Sequence, residues 1–245
     1  MSRFFFHKQV TPYVILFIER DGSTYLTSLL ISHPHIEAIY ERFAVLKQKN
    51  VNAADQLNWA KTFFTPRLIN RYAAVGFKAK LVDILDQAGF TSLVHEKKVR
   101  IIHMQRRNQV KAVVSRINAQ RLYENSGNWN LYKEVDRMPA FEIDPLIFAK
   151  FLQEREQADD ELTNYVDHLN LPVLKILYED LLVNRDKVLT QVLEFLRVKH
   201  YPVKENTLKH TSDDLRDVIL NYDHLRALYL GTRFENMFSE VLSTG

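Results

Sequence analysis

The chain has 245 residues, is 46% hydrophobic and 26% charged, and carries 33 Lys and Arg against 30 Asp and Glu, a formal charge of +3. That length can bury one sizeable core in a single domain, and the charge balance, with no long basic block, gives no reason to expect a nucleic-acid partner. The absence of cysteine excludes disulfides, thiolate metal sites and a cysteine nucleophile in one step.

Met1 to Lys8 lack the long apolar core of a secretion signal, and no apolar run approaches the roughly 20 residues of a membrane span, so a cytoplasmic protein without a membrane span is expected. The first strong element is the apolar run within 13 to 18. Val14 to Ile18 suits a strand covered on both faces. A polar turn follows, and helical periodicity takes over at 24 to 32. A helix beginning near Gly22 would aim free N–H groups and its positive dipole end at whatever sits above the turn, with Arg20 adding a fixed charge. The turn is not a nucleotide triphosphatase loop, which needs a second glycine and a lysine directly before the hydroxyl residue. An ordinary tight turn between strand and helix is the alternative. At the far end of that helix Pro34 stops continuation, and His33 suits a helix C-terminus.

Residues 44 to 72, with Trp59, Phe63, Phe64 and Pro66 breaking up polar sequence, read as a helical insertion or a lid; a helix packing its aromatics into the core is the other reading. Further apolar, β-rich runs stand at 74 to 79, 99 to 104 and 172 to 177. Helical patterns cover 108 to 125, 145 to 168 and 186 to 197, the second announced by Asp144-Pro145 as N-cap and first-turn proline. The alternation predicts an α/β domain with a central parallel sheet flanked by helices. In such sheets ligands gather outside the carboxyl ends of the strands. Polar motifs stand at three of those ends: Arg20 to Thr24, Gln105-Arg106-Arg107-Asn108 and Tyr178-Glu179-Asp180. Arg106 and Arg107 can equally be a solvated helix start, and Ser115 a mid-helix serine bonded to its own backbone. Asp180 is expected to cap the helix that begins there, with Glu179 favoured near its N-terminus.

Arg20-Asp21-Gly22-Ser23-Thr24-x-Leu26, followed by Leu29-Leu30 and His33-Pro34, resembles the 5′-phosphosulfate loop of sulfotransferases that use 3′-phosphoadenosine 5′-phosphosulfate (PAPS). That loop usually reads Arg/Lys-Ser-Gly-Ser/Thr-Ser/Thr. Arg107 just past a strand and Ser115 eight residues later resemble the family's 3′-phosphate site. Tyr178-Glu179-Asp180-Leu181 is similar to a segment after a core strand. Ala119-Gln120, Ser126 to Trp129, Asn221-Tyr222 with Leu225, and Gly231-Thr232 look like elements of the bacterial carbohydrate branch, which includes trehalose and nodulation-factor enzymes. Together the matches run from about 13 to 238.

The resemblance implies a P-loop-like sulfotransferase fold and in-line transfer of a sulfuryl group to a hydroxyl of a carbohydrate or other small molecule, with no metal required. It implies that Arg20 contacts the bridging oxygen and 5′-phosphate. Arg20, Asp21, Gly22, Ser23, Thr24 and Tyr25 would form the donor loop, and Arg107 and Ser115 would hold the 3′-phosphate. Two residues beyond the loop are candidate bases, Glu41 and His33. Glu41 is preferred, because a Glu followed by Phe near this distance resembles the carboxylate base of the bacterial carbohydrate enzymes. Golgi relatives would carry an anchor at the amino end, so this start favours a bacterial-type enzyme. Family relatives include dimers, although no heptad or apolar stripe marks a homodimer interface here.

One departure stands in the loop itself. Asp21 occupies a place usually held by serine or threonine, where a carboxylate facing the phosphate would oppose binding. It is expected to point away, pairing with Arg20 or capping the helix. Alternatives to the transferase are a P-loop kinase of a small metabolite and an inactive relative that binds nucleotide. Trp59, Phe63, Phe64, Trp129 and Tyr132, in segments 44 to 72 and 128 to 142, are candidates to face the acceptor or to fill the core.

Overall fold

The apolar runs assemble into one sheet of five parallel strands in the order β2-β3-β1-β4-β5, in a computed structural model that describes residues 9–66, 69–131, 133–204 and 212–242. The amino-terminal segment read for targeting, and Tyr132, lie outside the described residues. In chain order the elements are β1 (Thr11–Leu16), α1 (Ser23–Ile31), β2 (Ile36–Ile39), α2 (Arg42–Gln48), α3 (Ala53–Phe64), β3 (Ala74–Ala79), α4 (Gln87–Glu96), β4 (Arg100–Gln105) and α5 (Gln109–Ser126). They continue with α6 (Pro145–His168), β5 (Val173–Leu177), α7 (Tyr178–Val183), α8 (Arg185–Leu196), α9 (Tyr222–Ala227) and α10 (Glu235–Ser239). The domain is α/β, with helices on both faces of the sheet, as the alternating pattern predicts.

Side chains alternate across the strands and so divide the core into two faces. Tyr13 and Ile15 of β1, with Ile102 and Met104 of β4, pack against Leu26, Leu29 and Leu30 of α1 and the apolar stripe of α8. Val14 and Leu16, with Val75 and Phe77 of β3 and Ile101 of β4, pack against α2, α3, α4 and the far half of α6. A third cluster joins α5 and the start of α6 to residues 215 to 238. In it Asn221 accepts the Ile143 N–H at 3.0 Å and donates to its carbonyl at 2.9 Å.

The aromatics of 44 to 72 belong to this core. Phe77 lies at ring-centroid distances of 4.9 Å from Phe43, 5.1 Å from Trp59 and 5.4 Å from Phe64, while Trp59 and Phe63 stack at 5.2 Å. Four elements are not visible in the sequence pattern: β2, α4 and the short helices α9 and α10. Four residues at a sheet edge are too few to show an alternation, and the α4 region carries Gly89 close to its start. The first strand also ends two residues earlier than its apolar run. Its ladder to β3 stops at Leu16 opposite Ala79, because the Ile18 N–H is taken by the Asp21 carboxylate at 2.9 Å and the Ile18 carbonyl by the Asp21 N–H at 3.2 Å.

Candidate active site

The chain leaves β1 toward β2 on one side of the sheet and leaves β4 toward β5 on the other, so the crevice between β1 and β4 is the topological switch point. The loop of residues 17 to 22 rises there. Gly22 has φ 79°, and a Cβ on it would lie 2.2 Å from Cδ2 of the Tyr178 ring, so the position admits no side chain. Ser23 opens α1 without a side-chain cap, which leaves the start of a nine-residue helix to face an anion above it.

Beside that helix start stands a cation absent from the sequence reading. Lys78, on β3, is paired in register with Ile15 and almost wholly buried, and its ammonium reaches Oγ1 of Thr24 at 2.7 Å, Oγ of Ser23 at 3.3 Å and Oε1 of Glu41 at 2.9 Å. Three acceptors match its three donors. Burial pushes the Lys78 amine below its ordinary value, and Glu41 pulls it back up. Glu41 comes from the turn between β2 and α2, is a third exposed, and also lies 3.9 Å from Lys80. The structure therefore brings Ser23, Thr24, Glu41 and Lys78 together. A lysine near the carboxyl end of the apolar run Ala74-Val75-Gly76-Phe77-Lys78-Ala79 was the available signal.

Arg20 lies on the other side of the loop. Its Nε donates to Oγ of Ser115 at 2.9 Å and its Nη1 to the Trp129 carbonyl at 3.4 Å, so the side chain faces α5 and not the Ser23 and Thr24 hydroxyls. Ser115 is thus tied to the loop across the crevice. Burial, with Arg106 beside it, brings Arg20 down to about 10, still a cation at neutral pH. Its backbone is left-handed, φ 70°, a conformation costing a non-glycine residue roughly 1 kcal/mol. Arg106 braces it, donating from Nη1 to the Arg20 carbonyl at 3.1 Å while its guanidinium lies 5.0 Å from the centre of the Tyr178 ring.

Arg107 is exposed and pairs with Asp180 at 3.6 Å, away from Ser115, so the two expected 3′-phosphate residues have different partners. Asp180 does not cap its helix: α7 has no side-chain cap, and Leu177 holds the N-cap place. Glu179, in the first turn of α7 as expected, is buried and receives the N–H groups of Arg107 and Asn108, each at 3.1 Å, so it also fixes the turn between β4 and α5.

The Asp21 carboxylate neither caps α1 nor pairs with Arg20. It is buried against Arg155 of α6, which also donates to the Glu19 carbonyl at 3.1 Å and to Asp159 at 2.9 Å. Burial pushes the Asp21 carboxyl up, to about 7, against the opposing charge and hydrogen bonds of Arg155. Arg155 is held as a cation because Asp21 and Asp159 outweigh the effect of its own burial.

His33 is not brought to the loop. It follows α1 at the end opposite Ser23, and its ring is used locally: Nε2 bonds the Lys199 carbonyl at 3.0 Å, Nδ1 accepts the His35 N–H at 3.1 Å, and Tyr201 packs edge-on. Burial pushes the imidazole below its ordinary value. Tyr25 lies in the first turn of α1, half-buried against the face formed by α1 and α8. Trp129 is exposed and stacks on Tyr123 at 4.5 Å. Among the described residues no helix is long and apolar enough to cross a membrane.

The arrangement is thus a helix N-terminus, two hydroxyls and the cations Arg20, Arg106 and Lys78 around one loop, with a carboxylate at its edge. That donor set suits a multiply charged anion next to a group that must lose a proton. Solved structures that resemble the chain include a sulfotransferase from Alicyclobacillus acidocaldarius, 18% identical, covering 93% of this chain and 95% of that one with a TM-score of 0.49. Mouse sulfotransferase SULT7A1 complexed with PAP is 14% identical, covering 78% of this chain and 61% of that one, with a TM-score of 0.43. The sulfotransferase domain of the Synechococcus PCC 7002 olefin synthase is 17% identical, covering 95% and 93%, with a TM-score of 0.39. The chain thus spans less than two thirds of the mouse protein. A search of curated proteins finds no significant match. Residues 11–217, most of the chain and every site residue described above, match the sulfotransferase domain family, and the protein belongs to that family.

Proposed function

We propose that the protein transfers the sulfuryl group of PAPS to a hydroxyl of a small molecule, a carbohydrate being the first class to test. The observation that carries this reading is the meeting of Lys78, Glu41, Ser23 and Thr24 at the N-terminus of α1. When bound, PAPS supplies a sulfuryl group on a phosphate leaving group. The residues present fit that anion: Ser23 and Thr24 donate hydroxyls, Arg20 and Lys78 supply fixed charge, and the helix start supplies N–H groups.

Lys78 stabilises charge that grows on the leaving oxygen, a role suited to an ammonium held by three acceptors and shielded from water. Glu41 takes the proton of the acceptor hydroxyl, from a turn open enough to admit a substrate. Ser115 and Arg107 lie on the α5 side, where a 3′-phosphate would separate this donor from an ordinary nucleotide. Arg107 would leave Asp180, and Ser115 would accept Arg20 while donating its own proton.

The test is calorimetric titration with 3′,5′-adenosine diphosphate beside magnesium ATP, followed by sulfuryl transfer from PAPS to a panel of sugars and phenols. Binding of the 3′-phosphorylated nucleotide in preference to ATP, with sulfated product, is the expected result. Preference for magnesium ATP would overturn the reading in favour of a kinase. Nucleotide binding with no transfer to any acceptor would favour an inactive relative.

A further inference from the structure

An acid inside an anion-binding loop calls for a physical account, and the structure contains one. Both Asp21 oxygens are engaged away from the helix start, one by the Ile18 N–H at 2.9 Å and the other by the Arg155 guanidinium. Asp21 and Arg155 are 1% and 4% exposed, so the pair lies beneath the loop rather than on its surface. Each nitrogen of the Arg155 fork has a different partner: Asp21, the Glu19 carbonyl and Asp159. Asp159 in turn receives the Gln109 side chain of α5 at 2.7 Å. One arginine of α6 therefore spans the residues on both sides of Arg20 and links them to the helix that carries Ser115.

We infer that Arg155 is a positioning residue of the anion site: it cancels the charge of Asp21 and holds the Glu19 carbonyl, so that a loop containing an acid still receives a dianion. The inference rests on the reading of this loop as the donor site. Without Arg155, Asp21 is a buried acid with no cation: it either stays charged behind the bound anion, where like charges oppose each other, or takes up a proton and weakens its hold on the Ile18 N–H, and in both cases the Glu19 carbonyl loses its donor. The planar fork is what lets one side chain hold a carboxylate and a carbonyl at once. Asp21 is on this account a buried strut and not a lesion that disables the loop.

The experiment compares wild type, Arg155→Met, Asp21→Asn and the double variant, each titrated with 3′,5′-adenosine diphosphate by calorimetry and with pyrophosphate by thermal shift. Arg155→Met should weaken both anions by at least about tenfold, and the double variant should return to within about threefold of wild type, because asparagine keeps an acceptor for the Ile18 N–H with no charge to cancel and no proton to take up. A purely structural arginine would lower the melting temperature without that rescue. Wild-type affinity in folded Arg155→Met, or a double variant as weak as the single one, would overturn the inference. If Arg155→Met does not fold, the double variant is set against Asp21→Asn; near-equal affinity supports the inference and a loss of about tenfold overturns it. Wild type that binds pyrophosphate but not the nucleotide overturns the donor reading, and Arg155 is then judged on pyrophosphate. Wild type that binds neither overturns both.

Discussion

Lys78 shows how much a single buried charge depends on its surroundings. A lone ammonium in an apolar strand would be expensive, and it is tolerated here because its three donors are met by Thr24, Ser23 and Glu41. The same contacts aim it at the loop. Lys78→Met keeps an unbranched side chain one atom shorter and removes the charge, so it should lower kcat by about 10²- to 10³-fold, the scale of a lost preorganised donor. Steady-state kinetics on PAPS and the best acceptor would measure it. Glu41→Gln separates the two roles. It should lower kcat by about 10²- to 10⁴-fold while leaving 3′,5′-adenosine diphosphate affinity within about threefold, because the base is needed only when the proton moves. Unchanged kcat in Glu41→Gln would remove Glu41 as the base.

At the scale of elements, the loops after β1, β4 and β5 form one block. Tyr178 fills the space a Gly22 side chain would need, Arg106 lies over Tyr178 and holds the Arg20 carbonyl, and Glu179 receives two N–H groups of the turn after β4. Glu179→Ala would leave those donors without their charged acceptor in a buried place, so a loss of about 2–4 kcal/mol in urea unfolding is expected. A loss below about 0.5 kcal/mol would mean that the block does not depend on it. The sequence shows the strands of this block because Val14 to Leu16 are apolar without interruption and Ile101 to Met104 are apolar but for His103, and it shows the start of α6 because Asp144 and Pro145 are local signals. It does not show what register creates. Lys78 reads as one residue of an apolar run until β3 is set beside β1, and Arg155 reads as a surface charge of a long helix, 134 positions from the acid it meets. Asp180 fails as a local cap for the same reason: its partner, Arg107, comes from the turn after β4, and the neighbouring Glu179, in the first turn of α7 as expected, is also held by that turn.

At the scale of the whole molecule, the sheet carries a buried histidine. His103 lies on β4 opposite Lys175 of β5, on the face shared with Ile101 and covered by α6, and is 2% exposed. Its Nδ1 has no partner among the described residues. Burial, and then the charge of Lys175, lower the imidazole from 6.5 to about 4, with Asp167 and Asp159 pulling the other way. A group whose folded value is depressed contributes stability that is fully present above its unfolded value and is lost as pH falls toward the folded one. Between 6.5 and about 4 the unfolded chain takes up a proton that the native sheet refuses. The loss should reach on the order of 3 kcal/mol, a large share of the stability of a single domain. Urea midpoints of wild type and His103→Leu, compared at about pH 7 and about pH 4.5, isolate this contribution, because other carboxylates titrate in both proteins. Wild type should lose more stability on acidification than the variant by about 2–3 kcal/mol. Equal losses would mean that the sheet accommodates a charged imidazole beside Asp167 and Asp159, and that acid sensitivity begins at the ion pairs around the loop instead.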